Sequence, residues 1–254
     1  MAIEIVENGP DPNHLVLTCE HASNAVPPSF DIPPDEKQWL ETHWGWDIGA
    51  ERVVRALSQL EDATAMLSRF CRLICDPNRR IEQENLVRTR VEGTELSFNQ
   101  GLGEEEIERR LENFYRPYHR AVDRRLDREV SANDDLFLLS IHSFTPKLGD
   151  EERDMEIGVL FDHDQESYAR AIAEEIRVEG FDTALNEPYS GKENMIYSVS
   201  RHGRQHGVRH VEIEVRNDLI RDRSGARSVA RRLARAFRRL PWYGRDPREL
   251  VRTG

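Results

Sequence analysis

Two histidines stand at the ends of apolar runs that are typical of buried strands. His21 follows residues 15–18 in the segment TCEHASNAVPP, and His142 ends the run DLFLLSIH. Because ligands in open α/β sheets lie beyond the carboxyl ends of strands, we expect the two imidazoles to meet at one cleft. A catalytic zinc site usually has three protein ligands, so Asp47 and Glu20 are candidates for the third. Taken singly, each histidine is more often a hydrogen-bonded residue near a strand end.

The segment VEIEVRND carries charged residues at alternate positions. Glu212, Glu214 and Arg216 share one face of the predicted strand, because strand side chains repeat every second residue. The apolar residues between them favour an internal strand, although an exposed edge strand is the simpler alternative. Glu214 lies nearer the strand end, so it is the candidate to accept a proton from a metal-activated water and pass it to a leaving amine.

The segment CRLICDPNRR supplies candidates for binding a substrate. Asn78 and Arg79 follow a proline on a stiffened turn, where they could bind a carboxylate, although surface arginines are common in this chain. Arg72 could polarise a substrate carbonyl. Tyr189 in NEPYSG could donate a hydrogen bond from a loop. We therefore predict that these four residues contact the substrate, and that Arg216, on the same strand face as Glu214, also binds it.

Other histidines are weaker candidates for a site. His202 and His206 have the i, i+4 spacing of metal ligands on a helix. Gly203 lies between them and weakens that helix, so a surface position is the favoured interpretation. His43 stands beside tryptophans and is more often a packed neighbour than a ligand.

The elements that must position these residues alternate between strands and helices. Apolar spacing predicts strands at LVLT, ATAMLSRF, CRLICD, DLFLLSIH, MEIGVLFD, DTALN and VRHVEIEV. It predicts helices at DIGAERVVRALSQL with Asp47 as N-cap, at EEEIERRLENFYRPYHRAVDRRLDREV with a kink near Pro117, and at QESYARAIAEEIRVEG, NMIYSVSRHGRQ and RDRSGARSVARRLARAFRRL. Between them, NRRIEQENLVRTRVEGTELSFNQGLG is a long functional loop that could act as a lid. This alternation predicts a largely parallel sheet covered by helices.

Length and charge narrow the class of protein. The 254 residues fit one domain over 1–254, and the formal charge of -11 disfavours nucleic acid and membrane partners. The sequence contains no apolar stretch near twenty residues and no basic leader, which favours the cytoplasm. The three cysteines form no CxxC pair, so we expect reduced thiols rather than disulfides or a structural zinc site.

Six segments occur in an order that resembles a known family. TCEHASNAVP, HWGWDIGA, DPNR, IHSFTP, NEPYS and IEVRNDLI are similar to motifs of the N-formylglutamate amidohydrolase family, over residues 18–220. PNR, IHSF and IEVRND also resemble the wider zinc carboxypeptidase and aspartoacylase superfamily. The resemblance implies a three-layer α/β/α sandwich with a mostly parallel mixed sheet, of the phosphorylase/hydrolase-like, zinc-peptidase-like type.

The resemblance also implies an activity and residue roles. It implies zinc-dependent hydrolysis of the amide bond of a small N-acyl amino acid, N-formyl-L-glutamate in the namesake case, within amino-acid metabolism such as histidine degradation. His21 and His142 match metal ligands, Glu214 matches the general base and acid, and Asn78 with Arg79 matches the clamp on a substrate carboxylate.

The third ligand and the reaction have alternatives. Asn24 stands where the carboxypeptidase pattern has its ligand carboxylate, so Asp47 is the chosen third ligand and Glu20 the reserve. Manganese, cobalt or iron could replace zinc. The alternatives are a carboxypeptidase-like peptidase, a hydrolase with Cys19 as nucleophile, and a metal-free binding protein; the sequence leaves the oligomeric state open.

Overall fold

A mixed seven-stranded sheet carries the fold. The computed structural model describes residues 2–8, 14–132, 135–241 and 243. Its strands are β1 (Ile3–Val6), β2 (Leu15–Cys19), β3 (Thr64–Ser68), β4 (Arg90–Val91), β5 (Thr94–Glu95), β6 (Phe137–Phe144), β7 (Lys147–Leu148), β8 (Glu151–Glu152), β9 (Ile157–Leu160), β10 (Thr183–Leu185) and β11 (Arg209–Arg216). The sheet order is β1-β3-β2-β6-β11-β9-β10, and the pairs β4-β5 and β7-β8 form separate short hairpins.

The centre of the sheet is parallel. Strands β3, β2, β6 and β11 run in the same direction, whereas β1 pairs antiparallel with β3 and β9 antiparallel with β11. β10 runs parallel to β9 at the far edge. The prediction of a mostly parallel mixed sheet is therefore confirmed, and the carboxyl ends of β2, β6 and β11 lie side by side.

Helices cover both faces of the sheet. They are α1 (Ala50–Leu60), α2 (Glu104–Arg110), α3 (Arg116–Val130), α4 (Glu166–Val178), α5 (Tyr197–His206) and α6 (Arg223–Arg238). Leu57, Ile172 and Phe237 of α1, α4 and α6 share one apolar core with β2, β6 and β11. Tyr118 of α3 and Val199 of α5 belong to the core on the other face. This arrangement is the three-layer α/β/α sandwich that the resemblance implies.

The predicted long helix is interrupted where the sequence suggests a kink. A turn of π-helix, Leu111–Tyr115, separates α2 from α3 and lies directly before Pro117. Proline lacks the amide hydrogen that an α-helix needs at this position, so the wider turn accommodates it. None of the helices in the described ranges is both long and apolar enough to cross a membrane.

The start of α1 differs from the prediction. The N-cap is Gly49, whose φ of 89° is left-handed, and Asp47 is not the cap because its carboxylate faces the histidines. A side chain at Gly49 would meet the backbone carbonyl of Ile220, so only glycine fits this turn. The tight turn leaves the Asp47 carboxylate free to point away from the helix.

The predicted strand CRLICD is wrong. Residues 71–76 form turns, and β3 ends at Ser68. Leu73 and Ile74 are buried in a small core under the loops, against Trp39 and Trp44, so their hydrophobicity has another cause than a sheet. The sheet instead gains β1, an edge strand that the sequence analysis missed.

Buried polar contacts hold the predicted functional loop. The loop contains two short 3-10 helices, Glu84–Leu86 and Ser97–Asn99, besides the β4-β5 hairpin. The Asn99 side chain donates to the carbonyl oxygens of Leu73 at 2.8 Å and Arg88 at 2.7 Å. The buried Arg110 guanidinium donates to Asn99 Oδ1 at 2.6 Å. These contacts fix the loop beside the carboxyl edge of the sheet.

Candidate active site

Adjacent parallel strands bring the predicted residues together. His21 follows β2, His142 lies in β6, and Glu214 lies in β11, where it is the register partner of His142. Ser140 and Glu212 form the register pair two residues earlier on the same two strands. Because side chains alternate along a strand, Glu212, Glu214 and His142 project from one face of the sheet.

His21, Asp47 and His142 form a candidate metal centre. Asp47 lies between the two imidazoles, with His21 Nδ1 at 3.4 Å from Oδ1 and His142 Nδ1 at 2.7 Å from Oδ2. One ligand atom from each residue lies within 4.8 Å of the other two, and all three side chains are buried. The structure thus brings together the three residues that the sequence analysis selects as ligands.

Each imidazole is held from behind by a second carboxylate. His21 Nε2 lies 2.7 Å from Asp76 Oδ1, and His142 Nε2 lies 3.0 Å from Glu20 Oε2. Metal-binding histidines commonly donate their other ring nitrogen to a carboxylate, which fixes the tautomer and the ring orientation. With a proton on each Nε2, both Nδ1 atoms are free to bind an ion. Glu20, the reserve ligand, therefore lies behind His142 instead of beside Asp47.

The buried Glu20 carboxylate accepts several hydrogen bonds. It accepts hydrogen bonds from Ser140 Oγ at 2.6 Å, Tyr118 OH at 2.9 Å and Ser198 Oγ at 2.9 Å. Burial alone would raise the pKa of Glu20, but His142 and the hydroxyl groups of Ser140 and Tyr118 hold it well below its usual value. A permanently ionised Glu20 keeps a proton on His142 Nε2.

The donor set of the metal centre fits a divalent cation. His21 Nδ1 is buried without a hydrogen-bond partner among the described residues. A buried polar atom without a partner costs free energy unless an ion or water satisfies it. Burial would raise the pKa of Asp47, but His21 and His142 lower it well below its usual value, so Asp47 carries a negative charge. Two nitrogens and one carboxylate oxygen, with a position left open, are typical of catalytic zinc.

Two further carboxylates lie beside the metal centre. Glu212 Oε2 and Glu214 Oε2 are buried and lack a hydrogen-bond partner among the described residues. Burial raises the pKa of Glu212 to about 7, and burial raises the pKa of Glu214 well above its usual value. A carboxyl group with a raised pKa and a free oxygen can both accept and return a proton.

These residues line one pocket with a volume of about 230 Å³. Arg72, Arg79 and Arg88 line it together with the acidic residues of the centre. The other lining residues are His43, Trp44, Asn78, Asn85, Ser143, Phe144, Thr145, Leu148, Tyr189 and Met195. A cavity of this size with a positive wall suits a small anionic molecule.

Arg72 and Arg79 are held by different contacts. Arg72 donates to Asp76 Oδ2 from Nε at 3.1 Å and from Nη2 at 2.7 Å. Its Nη1 lies 3.5 Å from Asp47 Oδ1, so its charge is fixed beside the metal centre. Arg79 Nη1 donates to the Asn78 carbonyl at 2.8 Å, and the Arg79 carbonyl accepts from Tyr115 OH at 2.9 Å.

Asn78 faces the pocket with one polar atom already used. Its Oδ1 accepts a hydrogen bond from the Ser198 amide at 2.8 Å, which leaves its side-chain nitrogen to donate to a ligand. Tyr189 also lines the pocket, and its hydroxyl lies 3.4 Å from Arg153 Nη1. Both residues therefore line the pocket, and their contact with a substrate stays a prediction.

Arg216 does not reach the pocket. It is the last residue of β11, and its guanidinium donates to Asp218 Oδ1 at 2.9 Å and to the Asp154 carbonyl at 2.6 Å. Arg216 lies two residues beyond Glu214 on the same face of β11, which places it outside the edge of the pocket. Its prediction as a substrate-binding residue is not supported by this position.

Cys19 is unsuited to act as a nucleophile. It lies wholly buried in the core shared with α1, on the sheet face opposite Glu20, and burial raises its thiol pKa well above the usual value. The thiolate is the reactive form, so this environment suppresses the reaction. All three cysteines are free and buried.

The three weaker histidine candidates lie in different surroundings, and only His43 packs as expected. His43 packs against Trp44, with ring centroids 4.8 Å apart, and also lines the pocket. His202 is fully buried rather than on the surface, while His206 is partly buried. Helix α5 continues through Gly203. A side chain at this position would collide with the His210 ring, which packs against the helix there, so glycine is needed.

The sequence analysis missed the residues that orient the histidines. Asp76 ends an apolar run directly before Pro77 and Asn78, which is a weak signal for a site residue. Tyr118, Ser140 and Ser198 contact Glu20 from α3, β6 and α5, and no motif joins them along the chain. Only the folded chain brings these groups to one carboxylate.

Comparisons with known proteins identify the family and agree with the fold. The model of the N-formylglutamate amidohydrolase family matches residues 13–221. The structure of gene product Atu2144 from Agrobacterium tumefaciens is 28% identical to the chain, with a TM-score of 0.80 and 92% of each chain covered. The structure of N-formylglutamate amidohydrolase from Ralstonia eutropha JMP134 is 18% identical, with a TM-score of 0.71 and coverage of 92% of this chain and 95% of that chain.

No curated protein matches the chain significantly. The family match confirms the resemblance that the six motifs predict, and it supports amide hydrolysis as the reaction. The likeness to the Ralstonia structure extends the agreement to the fold.

Proposed function

Because the chain belongs to the N-formylglutamate amidohydrolase family, we propose that it is a metal-dependent hydrolase of N-acyl amino acids, with N-formyl-L-glutamate as the preferred substrate. One observation carries this proposal. The buried centre of His21, Asp47 and His142 lies beside the unpaired oxygen of Glu214, in a pocket whose wall contains three arginines.

His21, Asp47 and His142 would hold the ion, and zinc suits their two nitrogens and one oxygen. When bound, a divalent ion polarises the scissile carbonyl and lowers the pKa of a water molecule. Asp76 and Glu20 orient the two imidazoles toward this position through contacts of 2.7 Å and 3.0 Å.

Glu214 transfers the proton in this mechanism. Its free oxygen accepts a proton from the attacking water and then gives that proton to the amino nitrogen as the amide bond breaks. The raised pKa of Glu214, caused by burial, strengthens it as a base and allows it to hold the proton between the two steps. The products are formate and glutamate when the substrate is N-formylglutamate.

Arg72 stabilises charge on the carbonyl oxygen. Two hydrogen bonds to Asp76 fix its guanidinium, so little reorganisation is needed when the carbonyl oxygen becomes negative. Glu212 lies two residues before Glu214 on the same strand face, and its Oε2 is 3.5 Å from His142 Nε2. Its carboxyl group contributes to the charge around the metal centre.

Arg79 and Asn78 bind a carboxylate of the amino acid. A guanidinium and an amide nitrogen on one rigid turn provide directed hydrogen bonds to such a group. Arg88, whose guanidinium lies 5.0 Å from the Trp44 ring centroid, adds a third positive charge to the wall. With Arg72 assigned to the carbonyl oxygen, Arg79 and Arg88 remain to bind the two carboxylates of an N-acylglutamate, and screening limits repulsion by the distant acidic surface.

The test is formate release from N-formyl-L-glutamate by wild type and Glu214→Gln. We expect kcat to fall by about 10²–10⁴ in Glu214→Gln with its metal content unchanged. Glu193→Gln, at an exposed position, is the matched control and should retain wild-type turnover. Unchanged turnover in Glu214→Gln would remove that residue from the mechanism.

Substrate choice is tested separately. A panel of N-formylglutamate, N-acetylglutamate, N-formylalanine and a short peptide distinguishes a deformylase from a broader acylase or a carboxypeptidase-like enzyme. Arg79→Gln should raise KM for the acidic substrates more than it lowers kcat. No hydrolysis of any substrate, together with no bound metal, would instead indicate a binding protein on this scaffold.

The free cysteines also bear on location. Three buried thiols without a disulfide suit a reducing compartment, so we place the enzyme in the cytoplasm. Localisation of a tagged chain by fractionation would test this placement.

A further inference from the structure

A second group of metal-binding residues lies between α3 and α5, away from the pocket. Asp123 Oδ1 lies 2.7 Å from His202 Nδ1 and 3.1 Å from His206 Nε2. The two histidines are one helical turn apart on α5, so both face the same residue of α3. We call Asp123, His202 and His206 the second cluster; one ligand atom of each lies within 4.8 Å of the others.

Both histidines of the second cluster are held through their other ring nitrogen. His202 Nε2 lies 2.9 Å from His119 Nδ1, and His206 Nδ1 lies 3.2 Å from Asp127 Oδ1. A proton on His202 Nε2 can therefore pair with His119, which leaves Nδ1 as a lone-pair donor. A proton on His206 Nδ1 can likewise pair with Asp127. This is the arrangement that orients histidines for metal binding.

We propose that the second cluster binds a divalent transition-metal ion, with zinc as the best fit. It offers two imidazole nitrogens and one carboxylate oxygen, and water from solvent supplies the remaining position. His202 is fully buried and gives a fixed donor, while the Asp123 side chain is 19% exposed and admits an ion from solvent. The site is independent of the proposed hydrolysis, because none of its residues lines the pocket described above.

Arg201 is the main opposing charge. Its Nη2 donates to Asp123 Oδ2 at 3.0 Å and its Nη1 to Asp123 Oδ1 at 3.4 Å, so the guanidinium shares Oδ1 with the two histidines. Its Nη1 also lies 3.0 Å from His202 Nδ1 and 3.2 Å from His202 Nε2. Arg201 therefore competes with a cation for Asp123 and His202, and an ion must displace these contacts to bind.

The role of this ion is structural. It joins α3 to α5, and these helices carry Tyr118 and Ser198, two of the donors that hold Glu20 behind His142. Bracing the two helices fixes the groups that support the metal centre.

The experiment uses the full chain with Asp47→Asn to disable the metal centre. Calorimetric titration with zinc chloride should show one bound ion in this variant. Adding His206→Gln should weaken that binding by at least about tenfold, the lower range for disturbing a metal site. His163→Gln, at an exposed histidine outside the cluster, is the matched control and should leave binding unchanged.

A second measurement covers the case in which Asp47→Asn does not fold. After dialysis against zinc, elemental analysis should find two ions per chain in wild type and one in His206→Gln. The turnover of His206→Gln should equal that of wild type. The proposal is wrong if Asp47→Asn binds no zinc, or if His206→Gln binds as much as its parent. Because the readout is zinc binding, failure here leaves the proposed hydrolysis standing, and failure of the hydrolase assay leaves this site standing.

Discussion

The metal centre and the second cluster contain the same donors but differ in their surroundings. In both, an aspartate lies between two imidazoles, and each imidazole uses its other nitrogen for a second contact. The metal centre is buried at strand ends and adjoins Glu212 and Glu214, whose free oxygens face it. The second cluster lies between two helices, with Arg201 against its carboxylate.

This difference separates ion binding from catalysis. Two histidines and an aspartate are enough to hold a cation, wherever helices or strands bring them together. Hydrolysis also needs an acid or base that is not already paired, and a cavity that admits the substrate. The metal centre has both, through Glu214 and the arginine-lined pocket.

The largest expected effect comes from replacing the shared aspartate in each place. Asp47→Asn should lower kcat/KM for N-formylglutamate by about 10³ or more, because losing a catalytic ion removes several kcal/mol of transition-state stabilisation. Asp123→Asn should stay within about twofold of wild type, as expected for a change away from the reaction. Steady-state formate release measures both. Equal losses would show that the second cluster takes part in turnover.

The pH dependence of stability should differ in sign between the two regions. Burial raises the pKa of Glu212 from 4.5 to about 7 in the folded state, so the metal-free protein binds more protons folded than unfolded in that range. Its free energy of unfolding should fall as pH rises from 4.5 to about 7, by on the order of 3 kcal/mol from this residue. Urea unfolding of chelator-treated Glu212→Gln should lack this fall.

Asp123 provides the contrast in the second cluster. Burial would raise its pKa, but His202 and Arg201 hold it below the usual value, so its stabilisation is present near neutral pH and is lost on acidification below 3.8. Asp123→Asn should remove that acid-side loss in the same urea experiment. The comparison is contradicted if both substitutions change the pH slope, relative to wild type, in the same direction.

The carboxylates behind the histidines should matter unequally. Glu20→Gln should weaken zinc binding at the metal centre about 10–100-fold, because it disturbs the buried support of His142. Asp127→Asn should weaken binding at the second cluster by less than about fivefold, because the Asp127 side chain is 71% exposed. Zinc competition against a chromophoric chelator measures both affinities. The reverse order would show that exposure does not govern the strength of this support.

The smallest expected effect concerns the opposing arginine. Arg201→Gln should tighten zinc binding at the second cluster about fivefold, because a partly exposed charge contributes up to about 1 kcal/mol. Arg170→Gln removes an exposed arginine from a surface ion pair and serves as the control. No change, or weaker binding, would indicate that Arg201 supports the position of Asp123 more than it repels the ion.

Local patterns were sufficient to predict the parts of the site that follow the strand period. His21 and His142 stand where apolar runs end, and β11 alternates as predicted, so Glu214 reaches the carboxyl edge. The supporting residues follow no such pattern. Tyr118 and Ser198 meet Glu20 from positions 98 and 178 residues away along the chain.

The wrong predictions have physical causes. Leu73 and Ile74 are apolar because they fill a small core beneath loops, which a strand pattern cannot distinguish from a sheet. Asp47 has the position of an N-cap in sequence, but Gly49, with its left-handed φ, is the N-cap, so the Asp47 carboxylate does not cap the helix. Arg216 shares the face of Glu214 but is held at the rim by Asp218.

Ser198 connects two tasks that are usually described separately. Its hydroxyl donates to Glu20, which supports His142, while its amide donates to Asn78, which lines the pocket. A shift of the start of α5 would therefore reach both a proposed metal ligand and the residue proposed to bind a substrate carboxylate. If binding of either ligand causes such a shift, each ligand must alter the affinity of the other by the same factor, and titrations of metal and of substrate would then be fitted jointly.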